Sequence, residues 1–191
     1  KKIKPEECQI ILEEGKRSRV ESNDHRHKLA GHLSEEYRFT DLKRMDWLKR
    51  YFIMYAESYD KWLGAPEVKP YHLTLDTLWI NYMKAGDFNP PHKHGADISF
   101  VIYPSMPKKI IEENKAFKGR RNAGGGPGSV SWMYGEGFDQ YISVVDRLPE
   151  TGDLFIFPAT LMHWVFPFKS KVERISVSGN IIKTSKNTIK T

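Results

Sequence analysis

Two histidines two residues apart, His92 and His94, stand in Asn89-Pro90-Pro91-His92-Lys93-His94-Gly95-Ala96-Asp97, just ahead of the apolar run Ile98-Ser99-Phe100-Val101-Ile102-Tyr103. In an extended chain residues i and i+2 point the same way, so both imidazoles aim into one space. Imidazole is the commonest protein ligand for borderline metals such as zinc, iron and nickel. Two of them at a stiff strand end make half a metal site, and the chain should supply at least one more ligand. Pro90 and Pro91 cannot donate to a sheet ladder and are expected just before the strand. The bland alternative is a pair of surface histidines. His25-Arg26-His27 has the same spacing but no apolar run on either side, and it reads as solvated loop. His32 and His72 are left unassigned.

The remaining ligand candidate is His163, in Phe157-Pro158-Ala159-Thr160-Leu161-Met162-His163-Trp164-Val165, where a turn again feeds an apolar run. Eleven residues on, Arg174, Ser176 and Ser178 alternate with Ile175 and Val177 and so share one strand face. A guanidinium beside a same-face hydroxyl is a good clamp for a carboxylate, with paired hydrogen bonds from one and a third from the other. The competing reading pairs Arg174 with Glu173 or another surface carboxylate.

These residues need a rigid frame. Residues 5 to about 15 read as a short helix, with Pro5 at its first position and Glu6 and Glu7 at the positive end of its dipole. Residues 16–39 are polar and lack a sustained period. Residues 41–63 give the clearest helix: Leu42, Met45, Leu48, Phe52, Tyr55, Tyr59 and Trp62 recur at steps of three and four, with Gly64 and Pro66 behind them to end it. From Tyr71 the period becomes two, with Leu73 and Leu75, then Leu78, Ile80 and Tyr82. This predicts two strands leading into the histidine pair and one, 98–103, leading out. Residues 109–116 predict one or two helical turns. Further strands are expected at 130–134, 140–146, 154–157, 163–168 and 172–182, with a turn at Pro149–Asp153. Lys118–Gly128 is glycine-rich but lacks the G-x-x-x-x-G-K-[ST] of a phosphate loop. It reads as a mobile loop. Helices followed by about eight short strands, without βαβ alternation, predict a mainly β fold, an α-capped β-sandwich or jelly roll. Residues 1–66 would form a helical segment buttressing a core of residues 67–191, all in one structural unit.

Composition narrows the function classes. The chain has 191 residues, 39% hydrophobic and 28% charged, values ordinary for a globular protein able to bury a core. The net charge of +6 comes from scattered lysines and arginines rather than one basic stripe, so nucleic acid is not indicated as a partner. No apolar stretch nears the roughly 18–20 residues of a membrane span. One cysteine, Cys8, rules out an intrachain disulfide and fits a reducing compartment, the cytoplasm.

H-x-H, a distal histidine about seventy residues later, and then R-x-S resemble the Fe(II)/2-oxoglutarate-dependent oxygenases. The wording is similar to that of the small oxygenases encoded by marine bacteriophages and some bacteria. The matching pieces are Phe88-Asn89-Pro90-Pro91-His92-Lys93-His94, Ser99-Phe100-Val101-Ile102-Tyr103, Gly152-Asp153-Leu154-Phe155-Ile156-Phe157-Pro158, His163, and Arg174-Ile175-Ser176-Val177-Ser178-Gly179-Asn180-Ile181. The resemblance spans roughly residues 75 to 182. It implies a double-stranded β-helix (jelly roll, cupin-like) with the metal near one open end. His92, His94 and His163 would hold Fe(II), and 2-oxoglutarate would be the cosubstrate with O2. Arg174 would bind the far carboxylate with help from Ser176, and Tyr82 or Tyr103 would add a phenolic hydrogen bond. The implied reaction is hydroxylation of a prime substrate, unidentified from sequence, with release of succinate and CO2. If phage-encoded, the enzyme would work in the host cytoplasm. One departure stands out. The usual triad of this superfamily is two histidines and a carboxylate, whereas here the second motif position is His94. Asp97 is the rival third ligand, though strand parity sets it on the opposite face unless Gly95 allows a bulge. Two alternatives share the jelly roll: a cupin-like three-histidine metalloenzyme without 2-oxoglutarate, and a non-catalytic module with a structural metal.

Overall fold

A computed structural model describes the chain apart from residues 22, 23, 25, 27–30, 63–70, 118–124, 136–141 and 186–191, and apart from the side chains of residues 56, 57, 59–62, 71 and 185. The His25/His27 pair, Gly64 and Pro66 therefore lie wholly or mostly outside the described residues, as does most of the Lys118–Gly128 stretch.

Helix α1 runs over Pro5–Val20, longer than its sequence pattern suggests. Pro5 opens it, and the Glu7 carboxylate accepts from the Lys4 backbone N–H at 2.8 Å. Its continuation through Gly15 has a packing reason. A Cβ there would sit 2.3 Å from Ile80 Cδ1 and 2.8 Å from the Tyr82 hydroxyl, so glycine lets the helix lie this close to the sheet without displacing either side chain. The second helical region is a 3-10 turn, Lys43–Leu48, passing into α2, Lys49–Trp62. Met45, Leu48 and Phe52 are fully buried against the sheet, as the aromatic and aliphatic stripe predicts.

The remaining chain makes two antiparallel sheets. The larger has the order β1 (Glu35–Arg38), β2 (Tyr71–Met83), β9 (Arg174–Ser185), β4 (Ile98–Ser105), β7 (Leu154–Pro158). The smaller has the order β3 (Asn89–His92), β8 (Met162–Val165), β5 (Val130–Gly135), β6 (Ile142–Arg147). Helix α3, Lys108–Ala116, follows β4. One core lies between the helices and the outer face of the larger sheet and includes Ile11, Leu48, Phe52, Leu78, Ile80, Phe100, Ile102 and Val177. A second fills the space between the sheets, with Met83, Val101, Tyr103, Val130, Trp132, Phe157 and Val165. Strand β4 faces both cores, which is why it reads as a continuous apolar run rather than an alternation. This is the mainly β double-stranded β-helix that the sequence leads one to expect, with N-terminal helices packed on its larger sheet.

Three details differ from expectation. Residues 35–38 form a strand on the edge of the larger sheet, so the first 66 residues supply more than helices; Glu-Glu-Tyr-Arg is too short and too charged to announce it. The two strands expected in 71–82 are one strand with an extra residue between Leu75 and Thr77, a bulge that shifts the alternation by one. Pro90 and Pro91 lie within a short strand rather than ahead of one. That strand is the edge of the smaller sheet, and its pairing with β8 is irregular between Asn89 and His92, where missing N–H groups are tolerated.

Candidate metal centre and anion pocket

His92 ends β3 directly opposite His163 of β8, and the two ring centroids are 4.2 Å apart. The segment after β3 is pinned by backbone bonds: His94 N–H to Ala159 C=O at 2.8 Å, and Asp97 N–H to Ile181 C=O at 3.2 Å. This brings the His94 ring to 5.1 Å from each of the other two. One nitrogen of each imidazole lies within 4.8 Å of the others, and among the described residues this is the one such cluster of metal-ligating side chains.

Their protonation suits a metal. His92 Nδ1 lies 2.8 Å from the Pro90 carbonyl and His163 Nδ1 lies 2.8 Å from the Leu161 carbonyl. A carbonyl only accepts, so each Nδ1 carries a proton and each Nε2 is the nitrogen left for a metal. Burial, with His92 as a second cause, holds His94 down to about 4 and His163 to about 3. Both rings are therefore neutral at neutral pH, as ligands must be. The Trp79 ring lies 5.6 Å from that of His94, and the Phe157 ring 4.8 Å from that of His163.

Asp97 is not brought into this cluster. It is exposed, and its carboxylate accepts from the Lys183 backbone N–H at 2.7 Å. No bulge at Gly95 turns it inward.

Arg174 stands further into the same cavity, on β9, and is 1% exposed. Its Nη1 donates to the Gly128 carbonyl at 3.1 Å and its guanidinium carbon lies 5.4 Å from the Tyr103 ring centroid. Among the described residues its Nε has no partner and no carboxylate pairs with it. Glu173 instead reaches Arg19, at 3.4 Å. Burial draws the Arg174 pKa down. Ser176 and Ser178 line the cavity beside it, and Tyr103 presents a fully buried hydroxyl without a partner among the described residues. Burial pushes that hydroxyl up to about 12, so it remains a donor.

Tyr82 is elsewhere. The bulge between Leu75 and Thr77 puts Leu78, Ile80 and Tyr82 on the outer face, where Tyr82 meets Arg19 of α1 with the guanidinium carbon 4.3 Å from its ring. The same parity turns Trp79 and Asn81 inward to line the cavity. Neither is singled out by the sequence reading, yet the signal is there: when Leu78, Ile80 and Tyr82 form the core face, the residues between them form the other. Of the Lys118–Gly128 stretch, the described end is a tied turn rather than a free loop. The Asn114 side chain donates to the Pro127 carbonyl at 2.9 Å, Gly128 takes φ +75°, and its carbonyl holds Arg174.

A wider cleft of about 540 Å³ lies across Phe157 from the cluster, between α2, β5, β6 and β7. It contains no metal-ligating cluster among the described residues, so the chemistry belongs to the narrower cavity.

Comparisons with known proteins bear on the fold and the family. The fold is similar to that of a Pseudomonas putida prolyl-4-hydroxylase, with a TM-score of 0.58, 14% identity, and 96% of this chain and 89% of that one covered. It is also similar to a viral collagen prolyl hydroxylase from Paramecium bursaria Chlorella virus-1, in complex with 2OG, with a TM-score of 0.56, 14% identity and coverage of 95% and 92%. A 2OG-Fe(II) oxygenase family oxidoreductase from Burkholderia pseudomallei aligns with a TM-score of 0.50, 14% identity and coverage of 86% and 76%. No curated protein matches the sequence. Residues 77–180, more than half of the chain and the span that carries all three clustered histidines and Arg174, match the family described as "Putative 2OG-Fe(II) oxygenase", and the chain belongs to that 2OG-Fe(II) oxygenase family.

Proposed function

We propose that this protein is an Fe(II)- and 2-oxoglutarate-dependent dioxygenase that hydroxylates a second substrate, with His92, His94 and His163 as iron ligands and Arg174 as the cosubstrate's carboxylate clamp. The observation that carries the reading is the buried guanidinium of Arg174, which lacks a carboxylate partner among the described residues and shares one cavity with the three clustered imidazoles. A buried charge without a counter-ion is costly, and such sites are kept where a ligand completes them. Three neutral ligands leave a divalent iron with its full charge, Arg174 adds one more, and a dicarboxylate brings the opposite charge to both ends of the cavity. That complementarity supports a three-histidine site without Asp97.

When bound, Fe(II) would supply the activation of O2 that couples decarboxylation of 2-oxoglutarate to hydroxylation. The chain's own groups do the rest. His92 and His163 are locked in one tautomer by the Pro90 and Leu161 carbonyls, so their Nε2 lone pairs need no rearrangement to ligate. Arg174 Nε and the Tyr103 hydroxyl are unspent donors for the distant carboxylate, with the Ser176 hydroxyl beside them. Trp79, Phe157 and Val101 keep water from the cosubstrate's carbon chain. Residues 1–66 serve as the buttress of the 67–191 core in this reading, and the working compartment is the cytoplasm. Among the described residues no helix is long and apolar enough to cross a membrane.

The test is anaerobic addition of Fe(II) and 2-oxoglutarate, followed by air. A metal-to-ligand charge-transfer band and then stoichiometric succinate are expected. Iron uptake without either would point instead to a cupin-like metalloprotein that makes no use of Arg174. A prolyl peptide is the first prime substrate to try, because two structural neighbours are prolyl hydroxylases by name.

A further inference from the structure

On the inner face of the larger sheet a polar row runs across three strands. Glu36 of β1 stands opposite Asn81 of β2, and Asn81 stands opposite Ser176 of β9. Glu36 is 0% exposed, and among the described residues neither of its carboxylate oxygens has a hydrogen-bond partner. Asn81 is 4% exposed, and its Oδ1 has none either. Cross-strand neighbours on one face have Cβ atoms about 4.5–5.5 Å apart, within reach of each other's side-chain ends. Two buried acceptors at paired strand positions lack a donor, and a proton on the carboxyl would give both of them a partner. From the segment before β1 the charged group bearing on Glu36 is Asp24, of the same sign. Glu35 and Tyr37, its neighbours on β1, stand opposite Tyr82 and Ile80 on the other face.

We propose that Glu36 is a neutral carboxylic acid that donates its O–H to Asn81 Oδ1, fixing the amide so that its Nδ2 hydrogens point into the cavity beside Ser176 and Arg174. Glu36 is then a positioning residue and Asn81 a further binding residue for the acid the cavity takes, which rests on reading that cavity as the 2-oxoglutarate site. A side-chain amide is free to turn over, and anchoring its oxygen decides which end the ligand meets. Burial first, and Asp24 second, push the Glu36 carboxyl up to about 8, which accords with a proton held at neutral pH. Above that pH the donor is lost and a negative charge appears behind Asn81.

Infrared difference spectra of the metal-free protein against Glu36→Gln test the proton directly. A free-acid carbonyl band is expected in the parent at about pH 6, where ordinary carboxyls are ionised. It should be absent in E36Q, and absent in the parent at about pH 9.5. The second arm is 2-oxoglutarate titration of the Mn(II)-loaded protein. E36Q, whose amide N–H replaces the O–H, should bind within about twofold of the parent at pH 7, and E36L about fivefold more weakly. Binding by the parent should weaken as pH rises through about 8 while E36Q stays flat. A missing band, or one that survives in E36Q, overturns the neutral acid. A band with equal affinities in all three proteins and parallel pH profiles overturns the positioning role. A band lost in E36Q from a protein that takes up no 2-oxoglutarate overturns the reading of the cavity, and with it the role of Asn81. Should E36L fail to fold, the band and the pH profile of E36Q still decide.

Discussion

Replacing Arg174 with methionine should make the ligand-free protein more stable, not less. The guanidinium is 1% exposed, and its fixed partners are the Gly128 carbonyl at 3.1 Å and the Tyr103 ring. Exchanging a buried ion for an apolar side chain of similar volume is typically neutral or stabilising by about 1–4 kcal/mol. Against this stands the Gly128 hydrogen bond, about 1 kcal/mol. The net is roughly 0–3 kcal/mol in favour of Arg174→Met, a rise in Tm of up to about 10 °C for a chain of this length. With 2-oxoglutarate and Mn(II) the parent should gain on the variant. Ligand at one hundred times its Kd adds about 2.7 kcal/mol to the parent, and the variant should show no such increment at that concentration. Thermal melts of both proteins, with and without the acid, read all four values. A ligand-free variant that melts lower by the roughly 3–5 kcal/mol of a broken buried pair would mean that Arg174 is held by a structural anion, and the clamp argument would fail. An unchanged ligand response would sink it equally.

The remaining expectations are narrower. His92→Ala and His163→Ala should each abolish iron binding, measured as metal per chain after dialysis, because three ligands leave none in reserve; Asp97→Ala should retain full stoichiometry. Since burial holds His94 at about 4 and His163 at about 3, against about 6.5 in the unfolded chain, the unfolded state takes up protons first. The stability these rings confer on the metal-free protein is whole above about pH 6.5 and is lost as pH falls toward 4 and then 3, which denaturant titrations at stepped pH would show. A flat profile across that window would contradict the burial of both rings. Gly179→Ala should cost about 1–3 kcal/mol in a urea melt, because the new Cβ would meet the Phe100 ring at 2.5 Å and the Thr77 carbonyl at 2.7 Å.

How far the site can be read from the chain depends on how local its geometry is. His92 and His94 converge because two residues of extended backbone make them converge. Arg174, Ser176 and Ser178 share the cavity because an unbroken strand alternates, with Ile175 and Val177 in the opposite core. Such relations survive without knowledge of the fold. Tyr82 and Asn81 show where this stops. In Leu73, Leu75, Leu78, Ile80 and Tyr82 the apolar parity changes from odd to even after Leu75. Sequence offers two explanations, a break between strands or one extra residue within a strand, and only the pairing with β9 distinguishes them. Until the bulge is placed, either face of Tyr82 is open, and so is the face of the amide next to it. Strands β1 and β3 escape notice for another reason. Both lie on sheet edges, where one side of the backbone has no ladder to satisfy, so Glu35–Arg38 and Asn89–His92 carry charge and proline that an interior strand would exclude. Yet β1 contributes Glu36 and β3 contributes His92. The edges, where sequence signals for strands are weakest, are also where a fold admits polar side chains into its interior from the side. The least legible strands are therefore the ones whose polar residues most need inspection once the sheet order is known.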